Sequence, residues 1–134
     1  MKRGLNSVLL IISALTVVVI FGCPEANPQT ELTAHMERIV SILKEYQDDA
    51  NKASSSLKDY INNNLASIKN IIAKIEEKSV AAEDKGKPDI KLIFRHTRII
   101  KDLEALEQEK PLLMNDEKVK EALRPLFEVL KISI

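Results

Sequence analysis

Glycine occurs only three times in this chain of 134 residues, and tryptophan not at all. Sandwiches, barrels and phosphate-binding α/β folds turn their chains, and bring backbone close to ligands, on glycine. Three glycines leave few places for either, so the composition points to long helices joined by few turns. Cysteine occurs once, which excludes an intramolecular disulfide and a thiolate metal cluster. An excess of one charge is also missing, since Lys plus Arg and Asp plus Glu are 20 each. The chain therefore lacks the global positive charge that nucleic acid binding draws on. It also lacks a phosphate loop, a dinucleotide fingerprint and a zinc-ligand motif. Its length corresponds to one domain with one modest core.

What the chain does have begins at its first residues. Met1-Lys2-Arg3 is a short basic start, and Val8 to Phe21 is an apolar run broken only by Ser13 and Thr16. The run is shorter than the ~20 residues that span a bilayer. An export signal is therefore expected over residues 1–22, rather than a permanent transmembrane helix. The small residue Gly22 closes the run, and the single cysteine, Cys23, follows at once. A leftover cysteine in an exported protein needs an explanation, and its position supplies one.

Ile20-Phe21-Gly22-Cys23 resembles the lipobox of bacterial prolipoproteins. Ile20 and Gly22 match the usual pattern. Phe21 stands where a small residue is commoner, a departure seen in looser lipoboxes such as those of spirochaetes. The resemblance implies that the Cys23 thiol receives a diacylglyceryl group, that cleavage falls between Gly22 and Cys23, and that the new amine is acylated. It implies a protein of the cell envelope held to a membrane by its lipid. In enteric bacteria an aspartate after the cysteine favours the inner membrane. Here Pro24 and Glu25 follow, so the expected destination is the outer membrane. Loss of Lys2 and Arg3 with the leader would leave the mature chain slightly acidic.

Residues 23–30 read as the lipidated cysteine and a polar tether stiffened by Pro24 and Pro28. Residues 31–134 read as an all-α domain. Met36, Ile39, Leu43, Tyr46, Ala50, Ala53, Leu57 and Tyr60 recur at spacings of three and four, and Ile61, Leu65, Ile68, Ile72 and Ile75 continue after a shift of one. Such spacing puts the apolar side chains on one helix face. Thr30 is the expected cap, and Gly86-Lys87-Pro88 the stop. Residues 31–84 form either one helix or two, with a break near 48–56, where Ser56 and Asp59 resemble a capping box. A further helix is expected over 89–109, capped by Asp89, with Ile93, Ile100, Leu103 and Leu106 buried. Lys110-Pro111 ends it. The last is expected over 116–131, with Val119, Ala122, Leu123, Leu126, Phe127 and Leu130 as its stripe and Pro125 kinking or dividing it. The whole predicts an antiparallel helical bundle, or a coiled-coil-like hairpin, of three to four helices.

The helix over 89–109 is basic in its first half (Lys91, Arg95, Arg98, Lys101) and acidic in its second (Asp102, Glu104, Glu107, Glu109). The helix dipole favours the reverse by about 0.3–1 kcal/mol per charge. One reading places Glu76, Glu77, Glu83 and Asp84 beside the basic half across a tight turn at Gly86. The other makes the four cations a patch for anionic headgroups or an acidic partner.

Chemistry is sparse. His35 lies one helical turn from Glu31, and the pair reads as a surface histidine beside a carboxylate, because catalytic zinc needs a third protein ligand. His96, between Arg95 and Thr97, reads as a solvated or patch histidine. Ser54-Ser55-Ser56 has no histidine positioned near it. Asp48 and Asp49 diverge by ~100° on a helix and do not form a matched pair. Tyr46 and Tyr60 read as seam residues, with Ala50 and Ala53 a narrow strip for a close helix neighbour. No enzyme, metal or cofactor is expected. The chain reads as a lipid-anchored interaction, scaffold or assembly module that meets an envelope protein or a second copy of itself. The alternatives are a surface antigen or adhesin contacting host molecules, and a small-ligand carrier.

Overall fold

The structure, a computed structural model, describes residues 27–81 and 89–131. The leader, the cleavage position Gly22–Cys23, Pro24, and the expected stop at 86–88 lie outside the described residues. Among the described residues five helical segments follow one another: α1 (Pro28–Glu45), α2 (Ala50–Ala81), α3 (Ile90–Glu109), α4 (Pro111–Met114) and α5 (Glu117–Val129). No strand occurs among the described residues, and the fold class is all-α.

Helix α1 starts earlier than expected. Asn27, not Thr30, is its cap: the Asn27 side chain accepts a hydrogen bond from the Gln29 amide at 3.1 Å. Pro28 sits at the first helical position, where its fixed φ and missing N–H suit a helix start. Residues 28–30 therefore belong to the helix rather than to the tether.

The long apolar stripe is divided between two helices. The turn Tyr46–Asp49 closes with a bond from the Asp49 amide to the Tyr46 carbonyl at 3.0 Å. The Asp49 carboxylate then accepts from the Lys52 amide at 3.1 Å. This local cap replaces the expected box at Ser56 and Asp59, both of which lie inside α2. Across the turn α1 and α2 run antiparallel, as the contact between His35 and Tyr60 requires. Within α2 the inward line is Ala53, Leu57, Ile61, Ile68, Ile71 and Ile75, while Leu65 and Ile72 are only partly buried. At 32 residues, α2 is ~48 Å long and forms the spine of the fold.

Two other helices flank this hairpin. Helix α3 packs on α1, and α5 packs on α2. Both pairs run parallel. Residues 33, 37, 44 and 48 of the first hairpin arm and its turn meet residues 96, 95, 102 and 110 in turn. Asn51 and Glu76 of α2 meet Lys118 and Lys131. The sequence expectation of antiparallel neighbours thus holds for α1 with α2. It fails for α3, whose near neighbour is not the preceding helix.

Asp89 caps α3 as expected, accepting from the Lys91 and Leu92 amides at 3.0 and 3.2 Å. Asp116 does the same for α5 through Lys118 and Val119. Pro125 does not divide α5, which runs unbroken from Glu117 to Val129. The amide it lacks would have bonded the carbonyl of Glu121, and Glu121 is exposed, which lets the helix accommodate the proline. Val119, Ala122, Leu123, Leu126 and Phe127 are buried as the stripe predicted, with Leu130 at its edge.

Candidate functional site: the α1–α3 seam

The inner face of α3 is Leu92, His96, Ile99, Leu103 and Leu106, a regular alternation of four and three. The expected face included Ile93 and Ile100. Ile93 is instead 40% exposed, and Ile100 is only partly buried. Reading His96 as polar surface shifted the stripe by one position. Counting it as an inward residue restores the period.

His96 is not solvated: it is 6% exposed. Its Nε2 lies 2.6 Å from the Thr33 hydroxyl on α1. Thr33 donates its one proton to the Gln29 carbonyl at 2.7 Å, so the hydroxyl oxygen must accept from His96. The proton of the neutral ring therefore sits on Nε2. Nδ1 is left as a bare acceptor, buried and without a hydrogen-bond partner among the described residues. A second proton would create a cation in an apolar seam beside Arg95. Burial, and then the Arg95 charge, push the His96 pKa below its usual value, while Glu37 pulls the other way.

This arrangement has a pH signature. With the folded pKa depressed, the unfolded chain binds a proton more readily than the folded one. The stability due to neutral His96 is present above about pH 6.5 and is lost progressively as pH falls through the lower folded value. His35 acts in the same direction: burial lowers its pKa, opposed by Glu31. Urea unfolding above and below about pH 6.5 is expected to show a lower midpoint on the acid side. His96→Leu is expected to flatten most of that slope and leave the part belonging to His35.

Next to His96 the seam is polar. Arg95 grips Glu37 with two parallel bonds, Nε to Oε1 at 2.8 Å and Nη2 to Oε2 at 2.7 Å. That fork is the strong geometry for a guanidinium and a carboxylate. It holds the Glu37 carboxyl below its ordinary range, with burial opposing. Lys44 pairs with Asp102 at 3.3 Å, and Lys110 with Asp48. Between the first two pairs lies an open groove of about 370 Å³, floored by Val40 and Ile99.

For Arg95 the expectation that acids at the end of α2 neutralise the basic half of α3 is corrected. The partner of Arg95 is Glu37 of α1, because α3 lies along α1. Glu76 meets Lys131 instead, while Glu83 and Asp84 lie outside the described residues. The four-residue cationic patch also divides. Arg95 is committed to the seam, whereas Lys91, Arg98 and Lys101 are exposed and form no salt bridge among the described residues. Both side chains of the Arg95–Glu37 pair are about a third exposed (34% and 39%), so solvent screens it. Arg95→Ala is expected to cost about 0.5–1 kcal/mol in urea unfolding. Arg98→Ala should stay within about 0.5 kcal/mol of the parent.

On the other side of α1, His35 is bonded through Nδ1 to the Tyr60 hydroxyl at 2.7 Å. The rings are tilted by 55° with centroids 5.9 Å apart. Glu31 acts on His35 only through its charge, so the expected histidine–carboxylate pair is a histidine–tyrosine pair. It ties α1 to α2. Tyr46 and Tyr60 pack against the core edge, as seam residues should, and Ala53 is fully enclosed. Ser54, Ser55 and Ser56 lie on the first turns of α2. Among the described residues no group of three His, Cys, Asp or Glu side chains is placed to hold a metal ion. No described helix is long and apolar enough to cross a membrane.

Neither a protein-family model, nor a curated protein, nor a solved structure matches this chain.

Proposed function

We propose that the chain is a bacterial envelope lipoprotein, anchored through Cys23, whose helical domain acts as a non-catalytic interaction, scaffold or assembly module. The observation that carries the reading is the sequence Ile20-Phe21-Gly22-Cys23 at the end of an apolar leader, holding the chain's single cysteine. The fold adds a constraint on reach. Helix α1 begins at Pro28 behind its Asn27 cap, so only Pro24, Glu25 and Ala26 separate Cys23 from the folded domain. Four peptide units span at most ~14 Å. A domain held that close acts on partners at the membrane surface.

The exposed sides of α1 and α2 are the faces such a module offers to an envelope protein or to a second copy. Growth with a labelled fatty acid tests the anchor: the full chain is expected to carry the label and to partition into the detergent phase. A chain that stays unlabelled and partitions into water sinks the reading. The alternative, a surface antigen or adhesin, differs in exposure. Proteinase added to intact cells is expected to spare a module facing the periplasm and to strip one facing outward.

A further inference from the structure

The outer face of α3 is built unlike the rest of the surface. Among the described residues four large apolar side chains are exposed, and three of them lie at the start of α3: Ile90 (65%), Ile93 (40%) and Phe94 (69%). Ile90 and Phe94 project away from the buried line of Leu92, His96 and Ile99, and Ile93 joins them at its border. Lone exposed apolar residues are ordinary on a protein surface, but a contiguous group marks an interaction site. Lys101 prolongs this face, and Lys91 and Arg98 flank it, all exposed and without a salt bridge among the described residues. The acids of α3 sit in its second half, where Asp102 is already engaged by Lys44.

Placement gives the occupant. The bond between His96 and Thr33 pins the first half of α3 beside the first turns of α1. Asn27, through which the chain leaves toward Cys23, caps that same end of α1. The apolar and cationic face therefore lies at the anchored end of the domain. Aromatic and aliphatic side chains bordered by Lys and Arg are the chemistry of a helix seated in the headgroup layer of an anionic bilayer.

We propose that the first half of α3 rests on the membrane, with Phe94, Ile90 and Ile93 entering the boundary between headgroups and acyl chains and Lys91, Arg98 and Lys101 held by anionic headgroups. The nearness of the bilayer rests on the anchoring of Cys23 proposed above. The acidic second half of α3 is repelled by the same surface, which confines the contact to the basic half. The face supplies a second attachment beside the lipid and fixes how the bundle is oriented on the membrane.

The chain holds no tryptophan, so Phe94→Trp and Glu121→Trp each carry a single indole. Glu121 lies on the exposed face of α5, a helix packed on α2, and reports the far side. Each full-length variant is reconstituted into vesicles of phosphatidylcholine alone, or of phosphatidylcholine and phosphatidylglycerol in equal parts, with brominated acyl chains as quenchers. In the anionic vesicles the F94W emission is expected to shift to the blue and to be quenched, while E121W stays solvent-like. Lys91→Gln, Arg98→Gln and Lys101→Gln are each expected to lower the docking equilibrium constant read from F94W about fivefold. F94W emission that matches E121W in anionic vesicles overturns the proposal. So does a shift seen only in native envelope fragments, which would place a protein partner on this face.

The mass of the N-terminal peptide, taken on the same samples, separates this proposal from the anchor. An acylated chain with solvent-like F94W refutes the docking face alone. A chain without acyl groups whose F94W is still quenched refutes the anchor alone.

Discussion

Cys23→Ser is expected to abolish the acylated, membrane-bound form of this protein. The hydroxyl of serine does not replace the thiol as acceptor of the diacylglyceryl group, and the lipobox resemblance implies that cleavage follows that transfer. The variant should therefore be released, or accumulate uncleaved with its leader. The size of the effect follows from acyl-chain burial. A single myristoyl chain gives a membrane association constant of only about 10⁴ M⁻¹, whereas two or three chains anchor stably. The docking face on α3 does not replace this anchor, because three cations and three apolar side chains give a reversible contact. Fractionation with a fatty-acid label reads the outcome. A C23S chain that matures normally and remains in the membrane would contradict it.

The second large effect is on stability. Leu57→Ala is expected to destabilise the fold by about 2–5 kcal/mol. Leu57 is fully enclosed on α2, the helix that packs against both α1 and α5. Truncation there opens a cavity that neither flanking helix can fill without giving up contacts elsewhere. Against a total stability of about 5–15 kcal/mol for an ordinary domain, the loss is large. The urea midpoint should fall with little change in slope. Leu112→Ala is the contrast: Leu112 is 89% exposed, and its truncation should stay within about 0.5 kcal/mol.

Much of the fold was legible because local rules act alone at many positions. Asp89 and Asp116 announce helix starts through short side chains that reach the free amides, and both do so here. The α5 stripe is read correctly since all its inward residues are apolar. The division at Tyr46–Asp49 was not legible from periodicity. Tyr46, Ala50 and Ala53 keep helical spacing across the turn, so a hairpin and a straight helix present the same pattern. Position decided it, through the Asp49 carboxylate turned to the Lys52 amide.

The seam was the least legible part, and His96 shows why. A histidine between an arginine and a threonine reads as surface from its neighbours. Its burial depends on Thr33, 63 positions away, and Thr33 in turn has its proton occupied by Gln29. The available signal was the alternation through Leu92, His96, Ile99, Leu103 and Leu106, complete only if a polar residue is allowed into the stripe. The same topology explains the corrected charge partners. Acids of a preceding helix neutralise a following one when the two are neighbours, and here α3 passes over to α1. That separates Arg95, tied to Glu37, from Lys91, Arg98 and Lys101, which stay on the surface. The basic half of α3 is therefore two structures, a seam clamp and an outward face, where the sequence showed one patch.

The proposed anchoring depends on one residue, and one mass spectrum reads it. The N-terminal peptide of the protein taken from its native membrane is predicted to begin at Cys23 and to carry a diacylglyceryl group on sulfur and an acyl group on the amine. A peptide that runs through Gly22 into an unmodified Cys23, or one that begins elsewhere without lipid, would contradict the account.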